Sequence, residues 1–214
     1  WHSARHNSLK DTKMATIHIS RDKLKAAALF AATKHVRYYL CGVLIESTPM
    51  QTRICATDGA ALFCAKDDAK GDNEGTFTGI MPNDTIKQIL SWKGPYKGAA
   101  VVITTNDDIA GEHRAEWGGN TAVFKLLDGT FPAYARAVPE KVSGDASYID
   151  PELLMRCKKA AEVLGTSKLG VFALKQGGEG SAIAVFSGEA FAVIMPMRGV
   201  KADVADVAWA RVPA

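Results

Sequence analysis

Arg37-Tyr38-Tyr39-Leu40-Cys41-Gly42-Val43-Leu44-Ile45-Glu46, followed after a turn by Cys55-Ala56-Thr57-Asp58-Gly59-Ala60-Ala61-Leu62, decides how this chain is read. Both runs are apolar and rich in residues that favour strands, and the second ends in an Asp-Gly turn. The reading is a strand from Val36 to Glu46, a second from Arg53 to Thr57, and a third from Leu62 to Ala65 beyond the turn. Strands joined by such short connections pair antiparallel.

The same pattern recurs along the chain. Ile17-His18-Ile19-Ser20-Arg21-Asp22 announces a helix, with Ser20 as N-cap before Lys23-Leu24. Ile80-Met81-Pro82-Asn83-Asp84 announces a second, whose face is Ile86, Ile89 and Leu90. Tyr148-Ile149-Asp150-Pro151-Glu152 announces a third, with Asp150 capping and Pro151 in the first turn. There Leu153, Cys157, Ala160 and Leu164 form the apolar stripe. The starts recur at roughly 65 residues, which suits a duplicated supersecondary unit. The second helix precedes strands at Ala99 to Thr104, Ile109 to Glu116 and Thr121 to Leu126. The third precedes strands at Gly170 to Leu174, Ala182 to Phe186 and Ala190 to Met195. The fold class is α+β, with antiparallel sheets outside and a helix packed on each unit.

The expected organisation is an extension over residues 1–13, a two-unit domain over 14–139, a one-unit domain over 146–198, and a tail over 199–214. The connector from Pro139 to Ala146, with its Pro, Gly and Ser, marks the boundary. Val200, Val204, Val207, Trp209 and Val212 are the apolar points of the tail. Residues 1–13 are polar and aperiodic, and are expected to be disordered.

The 214 residues carry 47% hydrophobic and 23% charged residues, the balance of an ordinary globular protein. No apolar run reaches the roughly 20 residues that span a bilayer, and no secretory signal is visible, so a cytoplasmic protein without membrane contact is expected. Cys41, Cys55, Cys64 and Cys157 lie inside apolar patterns without metal-site spacing, and read as buried thiols. A formal charge of +3 does not by itself announce nucleic-acid binding; any DNA contact must come from local clustering.

Taken with Leu127-Asp128-Gly129-Thr130-Phe131-Pro132-Ala133-Tyr134-Ala135-Arg136-Ala137-Val138-Pro139 and Val193-Ile194-Met195-Pro196-Met197-Arg198, the opening strings resemble the bacterial sliding clamp family, the beta subunit of DNA polymerase III. The segments occur in the family's order and resemble its middle domain plus part of its last domain. The resemblance implies clamp-like repeats of a helix on antiparallel sheet, and a processivity factor of DNA replication that performs no chemistry and uses no cofactor. There are departures. The family's first domain has no counterpart, Ala60-Ala61 stand where the family has His-Arg, and Cys41 stands at a common Asn.

Two surfaces follow from the resemblance. The helices would line a bore around duplex DNA, with Arg21, Lys23, Lys25, Lys34, Lys87, Lys93, Lys97, Arg156, Lys158 and Lys159 toward phosphates. An apolar groove for peptides of DNA polymerase and other clients would be formed by Leu40, Thr57, Gly59, Ala60, Ala61, Leu62, Pro139, Val193, Met195, Pro196, Met197 and Arg198. A ring in this family holds twelve units, so three units per chain would need a homo-oligomer of four to close, and a chain with an unrecognised half-domain a different number. The alternative is a chain that forms no ring and binds clamp-client peptides as a modulator or decoy. A metal-dependent hydrolase is the weaker alternative, built on Asp107, Asp108, Glu112 and His113. Against it, Asn106-Asp107-Asp108 reads as a hairpin turn, and the Glu-His pair begins an alternating strand.

Overall fold

Ser20 does what its position demands. In a computed structural model describing residues 15–67, 73–94, 98–105, 111–178 and 180–199, its side chain accepts a hydrogen bond from the Lys23 amide. It thereby caps helix α1 (Arg21–Ala28) at the end of strand β1 (Thr16–Ser20). Strand β5 (Phe77–Pro82) leads directly into α2 (Asn83–Ser91), where Pro82 stands at the N-cap without a side-chain hydrogen bond. Asp150 caps α3 (Pro151–Val163) by accepting from the Glu152 amide at 2.9 Å, and Pro151 occupies the first turn.

Strands β2 (Gly42–Ser47), β3 (Thr52–Thr57) and β4 (Ala61–Asp67) follow α1. Strands β6 (Ala100–Thr105), β7 (Glu112–Trp117) and β8 (Asn120–Lys125) follow α2. Strands β9 (Ala173–Lys175), β10 (Ala182–Ser187) and β11 (Ala190–Ile194) follow α3. The first expected strand is shorter than its sequence suggests. Tyr38–Leu40 forms a 3-10 turn, and the ladder begins only at Gly42. The chain must reverse after α1 to enter the sheet, and the Ala32 amide closes that reversal onto the Leu40 carbonyl at 3.0 Å. Val36 and Tyr38 are left exposed.

The first two units exchange their leading strands. β1 pairs with β6, completing the four-stranded sheet β1-β6-β7-β8, and β5 pairs with β2. The second sheet has seven strands in the order β5-β2-β3-β4-β11-β10-β9, all antiparallel. It runs without interruption from the first unit into the third, because β11 pairs with β4. No strand precedes α3: residues 138–150 form none, and Tyr148 instead accepts from the Met197 amide at 2.7 Å.

Alternation along the strands divides the apolar residues between two faces. Val43, Ile45, Ile54, Phe63 and Ile194 face the three helices, sharing one core with Leu24, Ile86, Ile89, Leu153 and Cys157. Leu44, Cys55, Leu62, Cys64, Ile80 and Val193 face the other side, where Phe131, Tyr134, Ala137 and Val138 cover them. Burial on both faces explains why β2 to β4 read as nearly continuous apolar runs.

Candidate functional site

Several of the residues expected to form a groove meet at the β4–β11 ladder. Val193 lies opposite Leu62 and Ile194 opposite Ala61, and the Met195 amide donates to the Ala60 carbonyl at 2.9 Å. Leu62 and Val193 are buried in the outer-face cluster. Met195 and Met197, 42% and 53% exposed, stand at the end of the same strand, beside Pro196 and the exposed Arg198. Polarisable, flexible methionines suit an adaptable apolar surface. Pro139 follows Val138, which packs on the outer-face cluster. Leu40 is buried at the end of the 3-10 turn, on an element apart from the ladder.

The rim is a turn fixed by its own polar atoms. Asp58 Oδ1 accepts from the Ala60 and Ala61 amides at 2.9 and 3.0 Å. Thr57 Oγ1 donates to the Ala61 carbonyl at 2.8 Å and accepts from the Gly59 amide at 3.1 Å. Gly59 sits at φ +95°, a conformation that L side chains rarely adopt. Burial pushes the Asp58 carboxyl up in pKa, but the Arg156 guanidinium and the Ala61 and Ala60 amides outweigh it and hold it below the usual carboxylate range.

Sequence reasoning missed the covering strap, Leu127 to Val138, as part of the site. Tyr134 Oη donates to Glu46 Oε2 at 2.6 Å and lies 3.3 Å from Arg53 Nη1, anchoring the strap to β2 and β3. Burial and the carboxylate of Glu46 push the Tyr134 phenol pKa up. Between strap and sheets runs an open cleft of about 880 Å³, lined by Leu44, Ile80, Phe131, Arg53, Lys125 and others. A signal was present in the sequence: Phe131, Tyr134 and Val138 are apolar residues in a segment without strand or helix periodicity.

The ten basic residues assigned to the bore divide sharply. Lys25, Lys34, Lys93 and Lys159 are exposed. Lys87 is exposed beside Asp84, 3.2 Å away, and Lys158 pairs with Glu162 one turn on. Arg21 is committed elsewhere. Its guanidinium donates to the Leu90 and Trp92 carbonyls at 2.7 and 3.2 Å, capping α2, and stands 4.4 Å over the Trp117 ring. Lys23 donates to the Lys66 carbonyl at 2.8 Å, Asp67 at 3.1 Å and Glu189 at 3.0 Å, which ties α1 to β4 and to the β10–β11 turn. Burial lowers the Lys23 pKa, but those carboxylates more than offset it and raise it above the ordinary lysine value. Arg156 is bound to Asp58. Lys97 lies outside the described residues.

Of the hydrolase candidates, Asp107 and Asp108 lie outside the described residues. Glu112 is half-buried on β7, and His113 is buried between the rings of Phe77 and Phe124, 5.8 and 5.7 Å away. Among the described residues no three His, Cys, Asp or Glu side chains are grouped to hold a metal, and no helix is long and apolar enough to cross a membrane.

No protein-family model matches the chain. Among curated proteins it is similar to the beta sliding clamp of Pseudomonas putida, 28% identical over 149 residues, 69% of this chain and 39% of that protein. It is 33% identical over 108 residues to the beta sliding clamp of Pseudomonas aeruginosa, covering 50% of this chain and 28% of that one. The chain thus spans about two fifths of the first of these relatives and less of the second. Among solved structures, the DNA polymerase III beta subunit of Pseudomonas aeruginosa superposes with a TM-score of 0.59 at 23% identity, over 86% of this chain and 66% of that one. The Helicobacter pylori beta clamp bound to a DNA ligase peptide gives 0.62 at 15% identity, over 87% and 66%. The arrangement of helices against antiparallel sheets is therefore a shared architecture. This chain is thus similar in sequence to the bacterial beta sliding clamps, and it shares the fold of the DNA polymerase III beta subunits.

Proposed function

We propose that the chain is a DNA sliding-clamp-like protein, a non-enzymatic tether that holds replication or repair proteins on duplex DNA. The observation that carries this reading is the β4–β11 ladder. It sets two exposed methionines beside a rigid Asp-Gly turn, over an apolar floor contributed by both the first and the third units. Such a surface accepts short apolar peptides by filling a pliable depression. The Helicobacter pylori beta clamp, which shares this fold, was solved bound to a DNA ligase peptide. The DNA-facing residues of the proposal are Lys25, Lys34, Lys87, Lys93 and Lys159, with Lys158 at the margin. They attract phosphates without reading bases, as sliding requires. The chain acts as a homo-oligomeric ring in the cytoplasm. Strands β8 and β9 end their sheets, and each offers an edge for pairing with a further copy. The two-domain division at residues 139–146 belongs to the same proposal.

Light scattering on the eluting protein tests the ring, and salt-dependent binding to duplex DNA tests the bore. A tetramer-sized or similar oligomer whose DNA affinity falls steeply with salt is expected. A strict monomer that ignores DNA overturns the ring.

One observation favours a second reading, a clamp modulator that binds client peptides without encircling DNA. Arg21, Lys23 and Arg156 are committed to internal partners, which thins the basic surface. Peptide binding by a monomer with no DNA affinity at any salt establishes that reading.

A further inference from the structure

Arg156 lies on α3 next to Lys158 and Lys159, where the sequence suggested a phosphate contact. Its guanidinium instead meets Asp58 Oδ2, contributed by a residue 98 positions earlier in the chain. The other oxygen of that carboxylate holds the Ala60 and Ala61 amides. One side chain thus joins α3 to the turn, and the turn in turn accepts the Met195 amide on the Ala60 carbonyl. The Asp58 side chain is 17% exposed and that of Arg156 33%, so the pair is shielded well beyond an ordinary surface ion pair. Turn residues Gly59 and Ala60 are exposed and lack polar side chains of their own. Their own side chains cannot fix the rim; Thr57 holds the Gly59 amide and the Ala61 carbonyl, and the Asp58 carboxylate holds the Ala60 and Ala61 amides.

We propose that Arg156 is a positioning residue for the groove. Through Asp58 it sets the conformation of the Asp58–Ala61 rim, so that the third unit holds the peptide site in shape. It is not a phosphate contact of the bore. A guanidinium bound to a largely shielded carboxylate would have to leave that carboxylate unpaired to reach a phosphate, a costly exchange. This inference rests on the groove reading given above for its consequence, but not for its geometry.

The test uses the full chain with Arg156→Gln, Asp58→Asn, their double variant and Arg156→Lys. Hydrogen exchange at the Ala60 and Ala61 amides is followed with Ile54 on β3 as an internal reference for global opening. Affinity for the DNA ligase peptide and the salt dependence of duplex DNA binding are measured in parallel. Expected are an exchange rate about tenfold faster at Ala60 and Ala61 with Ile54 unchanged, peptide affinity weakened about tenfold, and a DNA salt slope equal to that of the parent chain. The double variant is expected to be no worse than the Arg156 variant alone, the mark of two residues acting as one unit. Arg156→Lys, which keeps the charge, is expected to recover part of the protection. Unchanged exchange at Ala60 and Ala61 overturns the proposal. So does a salt slope reduced by about one with peptide affinity intact, because that is the behaviour of a phosphate contact. If the parent chain binds no peptide, the groove reading fails, while the exchange measurement still decides whether Arg156 positions the turn.

Discussion

Val193 and Leu62 lie directly opposite each other across β11 and β4, although 130 residues of chain separate them. This pair joins the third unit to the first, buried in the outer-face cluster beneath Phe131, Tyr134 and Val138. Leu62→Ala removes a buried side chain that is 4% exposed, and is expected to destabilise the fold by about 2–4 kcal/mol. Chemical denaturation checks it, and a loss below about 1 kcal/mol shows that the ladder is not a structural joint.

Met195 and Met197 provide the contrasting case. Both are largely exposed, so Met195→Ala and Met197→Ala should leave stability within about 0.5 kcal/mol. Affinity for an apolar client peptide should nevertheless fall about tenfold, close to 1.4 kcal/mol, as read by calorimetry. Equal affinity in parent and variants removes these residues from the groove.

Local chemistry was legible in the sequence wherever neighbours decide the outcome. Ser20 and Asp150-Pro151 specify their helix starts through bonds to residues two or three positions on, and both helices begin there. The strand expected from Val36 failed for a complementary reason. Aromatic and β-branched residues favour extended chain, but the bond from Ala32 to Leu40 imposes a reversal that propensity cannot register. Basic residues misled most. Lys23 reads as a solvated helix lysine until the β10–β11 turn brings Glu189, 166 residues away, to 3.0 Å. Arg21 likewise finds its carbonyl acceptors some 70 positions on. Charge on a helix is visible in sequence, whereas the partner that neutralises it is a product of topology.

That division yields a paired prediction for lysines. Lys25→Ala or Lys159→Ala, at exposed positions, should reduce the salt slope of DNA binding by about one each without altering stability. Lys23→Ala should do the reverse. It leaves Asp67, whose side chain is 13% exposed, without its cation, and is expected to cost about 1–3 kcal/mol with no effect on the slope. The sign of its pH dependence follows from a pKa raised on folding. The contribution is complete below the unfolded lysine value of about 10.4 and is lost as pH rises through the higher folded value. Parent and variant should therefore converge in stability in strong alkali, and also in acid, where protonating Glu189 breaks the same ion pair.

Tyr134 tests the strap. Tyr134→Phe keeps the ring against Phe131 and the outer-face cluster but removes the donor to Glu46, which is left half-buried beside Arg53. The expected loss is about 1–2 kcal/mol, measured by denaturant titration at neutral pH. An unchanged midpoint shows that apolar packing alone holds the strap.

The Asp58 carboxyl should make the groove acid-sensitive. Its pKa is depressed in the folded chain, so its stabilising contribution is complete above the unfolded value of about 3.9 and disappears as pH falls through the lower folded value. Asp58→Asn retains a side-chain oxygen for the Ala60 and Ala61 amides but lacks the charge that binds Arg156. The variant should be less stable than the parent at neutral pH, and the difference should shrink below about pH 4, where the parent's carboxyl is protonated. Thermal unfolding of both proteins across this range supplies the measurement. A stability difference that stays constant from neutral to acidic pH would show that the turn depends on the shape of the side chain and not on its charge.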